Sequence, residues 1–117
     1  MKQYFWSICF CAALFGSSAG NVHAVYNANQ TGVVAAVWVY DGGHIAVRMS
    51  PMPVSGCTYN DFFIIPTPPD VTELAYKAMY ARALSAHALK ETIDIGYDNS
   101  GGACFWSRPR IHQIGSQ

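Results

Sequence analysis

The chain is poor in charge, and the charge it has is balanced. Charged side chains make up 12% of the residues, with seven Lys/Arg against seven Asp/Glu. Nucleic-acid binding draws most of its affinity from neutralised phosphates and needs a basic surface, which this composition does not supply. A basic amphipathic segment for a membrane surface is also missing. So is any apolar run of the roughly 20 residues that a membrane helix requires. There is no internal repeat and no low-complexity tract. Catalytic and metal signatures are equally scarce. From residue 25 onward the sequence holds no CxxC, HxH, HExxH or GxSxG spacing, so it offers no ready structural zinc site, metalloprotease helix or serine-hydrolase elbow.

What is present begins at the amino terminus. Lys2 is followed by an apolar run from Tyr4 to Phe15, and Val22-His23-Ala24 places small or tolerated residues at a cleavage site. This is the pattern of a secretory signal peptide over residues 1–24. Cleavage after Ala24 leaves Val25 to Gln117 as a single domain, secreted or periplasmic. Bulky Phe10 before Cys11 argues against a lipid-modified cysteine. Removing Lys2 with the leader leaves six Lys/Arg and seven Asp/Glu.

Cys9 and Cys11 depart with the same segment, so Cys57 and Cys104 remain. In an oxidising compartment they are expected to form one disulfide. The bridge closes a loop of about 47 residues, worth roughly 4 kcal/mol in the chain-entropy description. Two separate thiols, one of them nucleophilic, are the weaker reading.

Strand and turn signals fill most of the rest. Gly32 to Tyr40 reads as a long strand, Asp41-Gly42-Gly43 as a turn, and His44 to Met49 as the returning strand. Alternation puts Ile45, Val47 and Met49 on one face and His44, Ala46 and Arg48 on the other. In the first strand Ala36, Trp38 and Tyr40 share a face opposite Val37 and Val39. Alternation does not say which face is buried. Cys57 to Ile65 reads as a third strand broken at Asn60-Asp61 and ended by Pro66 to Pro69. Asp70 with Glu73 resembles a capping box, opening a helix to about Leu89. Val71, Leu74, Ala78, Ala81 and Ala88 form its expected packing stripe. Thr92 to Tyr97 is a fourth strand. Ala103 to Ile114 is a fifth, with Pro109 at an edge or bulge.

The fold class is therefore mostly β with one helix, in the order β-β-β-α-β-β. That is the order of an OB-like five-stranded barrel. An α+β open antiparallel sheet with one packed helix is the alternative.

Several short segments add a resemblance. Thr31-Gly32-Val33-Val34 opens the first strand, and Gly43-His44-Ile45 follows its turn. A helix with Leu74, Tyr76, Ala78 and Tyr80 leads into Ile93-Asp94-Ile95, and Cys104-Phe105 opens a late segment. In this pattern the chain resembles the B subunits of subtilase cytotoxin and of pertussis-like bacterial toxins. The resemblance implies an exported OB-fold subunit, a ring-forming homo-oligomer and glycan binding. That family usually has more cysteines before the helix. Its serine-based glycan pocket has no matching position here, so no site residue is carried over.

Catalysis is poorly supplied. His44, His87 and His112 are dispersed, so no metal or other cofactor is expected. Asp61, Asp94 and Asp98 are the only carboxylates with a prospect of pairing as in glycosidases, and a small hydrolase is the least favoured reading. Binding chemistry is richer. The disulfide draws Tyr59, Asn60 and Asp61 toward Asp98, Asn99, Ser100 and Trp106, an aromatic platform with short polar groups. Trp106, Arg108 and Arg110 recur at period two and suit an anionic sugar, an acidic partner loop or a neighbouring subunit. The plainer reading is that Tyr59 and Trp106 cover the bridge, the Asx residues form the turn, and the arginines pair across the sheet. Asn29-Gln30-Thr31 matches a glycosylation sequon, relevant only in a eukaryotic source. The expectation is a non-enzymatic binding module for a glycan. A periplasmic inhibitor or immunity-type protein that binds a protein partner is the alternative.

Overall fold

The computed structural model describes residues 26–116. The signal-peptide segment 1–24 lies outside the described residues. Among the described residues seven strands and one helix follow one another: β1 (Ala28–Val39), β2 (Ile45–Ser50), β3 (Phe63–Ile65), α1 (Glu73–Leu89), β4 (Thr92–Tyr97), β5 (Cys104–Phe105), β6 (Arg108–Pro109) and β7 (Ile111–Ser116). Five of them form an antiparallel sheet in the order β3-β2-β1-β4-β7. β5 and β6 form a separate small hairpin.

Strand β1 organises the sheet. Its first half, Ala28 to Val33, pairs with β4, and Val33 to Val39 pairs with β2. A register shift between Val34 and Ala36 lies between the two halves. An extra residue of this kind bends a strand and raises its twist. At the two edges, Ile64 of β3 forms an isolated parallel bridge with Arg110, just before β7.

The alternation in the sequence resolves cleanly once packing is known. Ile45, Val47 and Met49 are buried in the main core with Val34, Phe63, Ile65, Ile93, Ile95, Tyr97 and Ile111. Ala46 and Ile64 face the other way and join Phe62 in a second, smaller cluster, against which Phe105 packs. Two apolar layers therefore sit on opposite faces of β2 and β3. The second supports the candidate site.

Three sequence expectations need correction. The third strand is confined to Phe63–Ile65, because Ser55, Asn60 and the prolines around Val54 bind one another or block pairing. The expected fifth strand is interrupted. Trp106 and Ser107 both have positive φ, at 52° and 61°, and turn the chain between Phe105 and Arg108. They make the two-residue turn of a tight hairpin, so the strand proper begins only at Ile111.

The third correction concerns the helix. Thr72, not Asp70, is its N-cap, with Thr72 Oγ1 accepting from the Ala75 amide at 3.2 Å. Asp70 instead donates its backbone N–H to the Thr67 carbonyl. The predicted stripe also lies on the wrong side. Leu74, Ala78, Ala81 and Ala88 are exposed, whereas Ala83 and Ala86 are buried and Tyr76, Met79 and Tyr80 pack on the core. Apolar residues occur on every side of the helix among Glu73, Lys77, Arg82 and His87, so periodicity alone could not choose its inner face. Thr72→Ala is expected to cost about 1 kcal/mol, while Asp70→Ala stays within about 0.5 kcal/mol, as chemical denaturation will read.

Candidate functional site

The cysteines expected to pair do so. Cys57 and Cys104 form a disulfide with a Cα–Cα distance of 5.8 Å. Their loops interlock beside it, where the Gly56 amide donates to the Asn99 carbonyl at 2.7 Å. A Cβ on Gly56 would stand 2.5 Å from the Gly101 nitrogen, so only glycine permits this approach. The bridge holds the β5–β6 hairpin over the outer face of β1 and β2.

The hairpin tip carries Trp106, which is 46% exposed. A bulky residue in the left-handed region is a genuine outlier, of a kind that costs roughly 1–3 kcal/mol and clusters at functional sites. Neighbouring bonds hold it there. Arg108 donates Nη1 to the Trp106 carbonyl, and the Tyr59 amide donates to the Ser107 carbonyl at 2.9 Å. The indole ring meets Tyr40 edge-on at 5.4 Å and lies 4.3 Å from the His44 ring. Phe105 approaches His44 from the other ring of the hairpin, at 4.8 Å.

Beside this cluster runs an alternating series of rings and guanidinium groups. Arg48 lies over Trp38 at 5.0 Å, and Trp38 stands 5.9 Å from Phe62. Arg108 lies over Phe62 at 4.2 Å and over Tyr59 at 4.9 Å. Stacking of this kind is worth about 0.5–1 kcal/mol at exposed positions and more when desolvated. Trp38, Val39, Tyr40, Arg48 and Phe62 line an open groove of about 290 Å³. All of these side chains except Val39 rise from the outer face, above the Ala46–Phe62–Ile64 cluster.

The residues singled out from the sequence divide into two groups. Tyr59, Asp61, Trp106 and Arg108 come together on this face. Both Asp61 oxygens accept from Arg108, at 2.8 and 3.0 Å. That bond holds the Asp61 carboxyl below its usual range and raises Arg108. The others serve local structure. Asn60 Oδ1 accepts from the Ser55 amide and hydroxyl. Asp98 Oδ1 accepts from the Ser100 amide and hydroxyl, which lowers the Asp98 carboxyl as well. The Asn99 backbone bonds the Asn27 side chain and Gly56. Arg110 turns away, donating Nη2 to the Asp70 carbonyl at 2.6 Å. The expected period-two row of Trp106, Arg108 and Arg110 therefore does not exist, because the hairpin turn at Trp106-Ser107 breaks the alternation.

Four contributors were missed: Trp38, Tyr40, Arg48 and Phe62. Their shared parity on β1 and β2 was visible, but the sign of the exposed face was not. Phe62 falls in the expected third strand but lies just before the observed one, Phe63–Ile65, so its face could not be read from that pattern.

Among the described residues, no three His, Cys, Asp or Glu side chains converge to hold a metal. Asp94 accepts from the Thr31 hydroxyl across β1 and β4, whereas the Asp61 carboxylate is held by Arg108 and that of Asp98 by Ser100. His112 is half-buried, and its Nε2 has no hydrogen-bond partner. Burial first, and Arg110 second, push it below its ordinary value, with Asp98 opposing. Its unfolded form then binds a proton more readily, so stability rises with pH through this window. Stability is expected to fall as pH drops below about 6.5, the unperturbed histidine value. His112→Gln should flatten that step in urea midpoints measured between pH 7.5 and 5.

Comparison of the chain with models of known protein families, with curated proteins and with solved structures gave no match. The candidate site therefore stands on its own geometry. Among the described residues, no helix is long and apolar enough to cross a membrane.

Proposed function

We propose that this chain is an exported, non-enzymatic binding module, and that the aromatic–arginine face is its ligand surface. The disulfide and the leader-like amino terminus support export. The parallel bridge between Ile64 of β3 and Arg110, just before β7, supports an OB-like winding, since it brings the ends of the two outer strands together as a barrel would. Ring-rich faces beside a small barrel are common ligand surfaces.

Of the two ligand classes the sequence leaves open, the geometry favours a protein partner. The observation that carries this choice is the state of the polar groups. A sugar site needs short polar side chains free to bond hydroxyls beside a flat ring. Here Asn60 is bonded to Ser55, Asp61 to Arg108 and Asp98 to Ser100. The rings meet at steep angles, 84° for Tyr40–Trp106 and 59° for Trp38–Phe62, and make an uneven apolar relief. Trp, Tyr and Arg in such a patch are the composition of interface hot spots. An inhibitor or immunity-type protein fits this surface.

The test probes both classes in parallel. The purified disulfide-bonded protein is panned against a displayed library of looped heptapeptides and applied to a glycan array. Peptide binders that lose about 30-fold in affinity with Trp106→Ala support the reading, that loss corresponding to a hot-spot contribution of about 2 kcal/mol. Glycan binding abolished by the same substitution, without peptide binders, replaces it with the glycan-binding reading. A particle mass of several chains would favour the ring implied by the toxin resemblance.

A further inference from the structure

The arginines that the sequence brought forward are already occupied. Arg108 is bound to the Asp61 carboxylate, and Arg110 to the Asp70 carbonyl. Lys77 pairs with Glu73, and Arg82 forks onto Glu91. Arg48 differs. It is exposed on β2, opposite Ala36, and, like Arg110, forms no ion pair with any described carboxylate, but its engaged nitrogen is Nε and not Nη2. Its guanidinium is nevertheless fixed. One face lies on the Trp38 ring at 5.0 Å, and Nε donates to the Asp61 backbone carbonyl at 3.2 Å. Neither Nη group is hydrogen-bonded to a described residue, and the side chain borders the groove formed with Trp38, Val39, Tyr40 and Phe62.

From this geometry we propose that the groove takes an acidic side chain, Asp or Glu, from an exposed loop of a protein partner. The proposal rests on the protein-partner reading given above. The chemistry follows from the donor set. Nε is already engaged and Cζ sits over the Trp38 ring, so the Nη1–Nη2 edge of the planar group presents two parallel N–H groups. That planar pair matches the two oxygens of a carboxylate, the arrangement for which arginine is better suited than lysine. Holding the group in place beforehand lowers the conformational cost of binding. The nearby acid cannot compete: Asp61 has both oxygens on Arg108. Asp41 lies in the turn beyond the Val39–Ile45 pair, more than about 10 Å along the strands from Arg48 at the usual strand rise. The face thus carries one uncompensated positive charge amid exposed rings. Its complement is a carboxylate with an apolar neighbour, which would sit against Trp38 and Tyr40.

The test uses the looped heptapeptide library on the purified disulfide-bonded protein, in parallel with Arg48→Gln, Arg48→Lys and Trp38→Ala. Arg48 is exposed, so its variants should keep the fold, which circular dichroism checks. Selected loops are expected to be enriched in Asp or Glu next to an apolar residue. Their affinity should drop about 10- to 100-fold on Arg48→Gln, the range of a hydrogen bond to a charged group. Arg48→Lys should recover only part of it, and replacing the acidic residue of the peptide by its amide should reproduce the loss. Loops that depend on Trp38 but are indifferent to Arg48→Gln would overturn the acidic-partner proposal and leave the protein-partner reading standing. Binding to the glycan array alone would overturn both. A library that yields no Arg48-dependent loop overturns the proposal.

Discussion

Replacing both bridging cysteines, Cys57→Ala with Cys104→Ala, is expected to remove roughly 4 kcal/mol of stability, from the loop of 47 residues that the bridge closes. Small domains hold only about 5–15 kcal/mol in total, so the variant should unfold at far lower urea concentration. The damage should also be ordered in space. Cys104 opens the hairpin that carries Phe105 and Trp106 over His44 and Tyr40. Without the bridge, the hairpin keeps its short pairing, its ring contacts with His44 and Tyr40, the Arg108–Asp61 bonds and the Tyr59 amide bond, none of them covalent. Trp106 emission should therefore shift toward the solvent-exposed value before far-UV circular dichroism reports unfolding. Reduction of the native protein should reproduce both effects. A loss under about 1 kcal/mol, with unchanged emission, would mean that the hairpin is seated by its side chains and not by the bridge.

Phe63→Ala is expected to be as severe, at about 3–5 kcal/mol. Phe63 is fully buried and meets Tyr97 edge-on at 5.3 Å in the main core. Its neighbour Phe62 points to the opposite layer and is 8% exposed. Phe62→Ala should cost less global stability but disturb the face, because Arg108 and Trp38 both lean on that ring. Two adjacent phenylalanines would thus be separated by their consequences, the first in the denaturation midpoint and the second in peptide binding. Equal losses of stability, with binding untouched, would contradict the division into two apolar layers.

The site was half legible. Tyr59, Asp61, Trp106 and Arg108 could be found because a covalent link between Cys57 and Cys104 constrains which segments meet, and covalent constraints are written in the chain. Trp38, Arg48 and Phe62 could not be chosen in the same way. Period-two alternation fixes which residues share a face, yet the same pattern fits either face inward until the rest of the domain is packed. The helix poses the same problem more sharply. With apolar residues on every side, its contact face was settled by Ala83 and Ala86, small enough to approach β1, and not by the stripe from Leu74 to Ala88.

The sequence by itself determined the bridge partners, the central β-hairpin, and the existence and end of the helix. Each is a local matter of spacing, turn chemistry or composition. Only the tertiary structure decided which faces are buried, that Trp106 stands at a hairpin tip, and that Arg48 keeps its Nη groups free while Arg108 and Arg110 do not. Those outcomes depend on partners far apart in the chain, such as Asp61 with Arg108 and Asp70 with Arg110, and such pairings exist only once the sheet has set the distances.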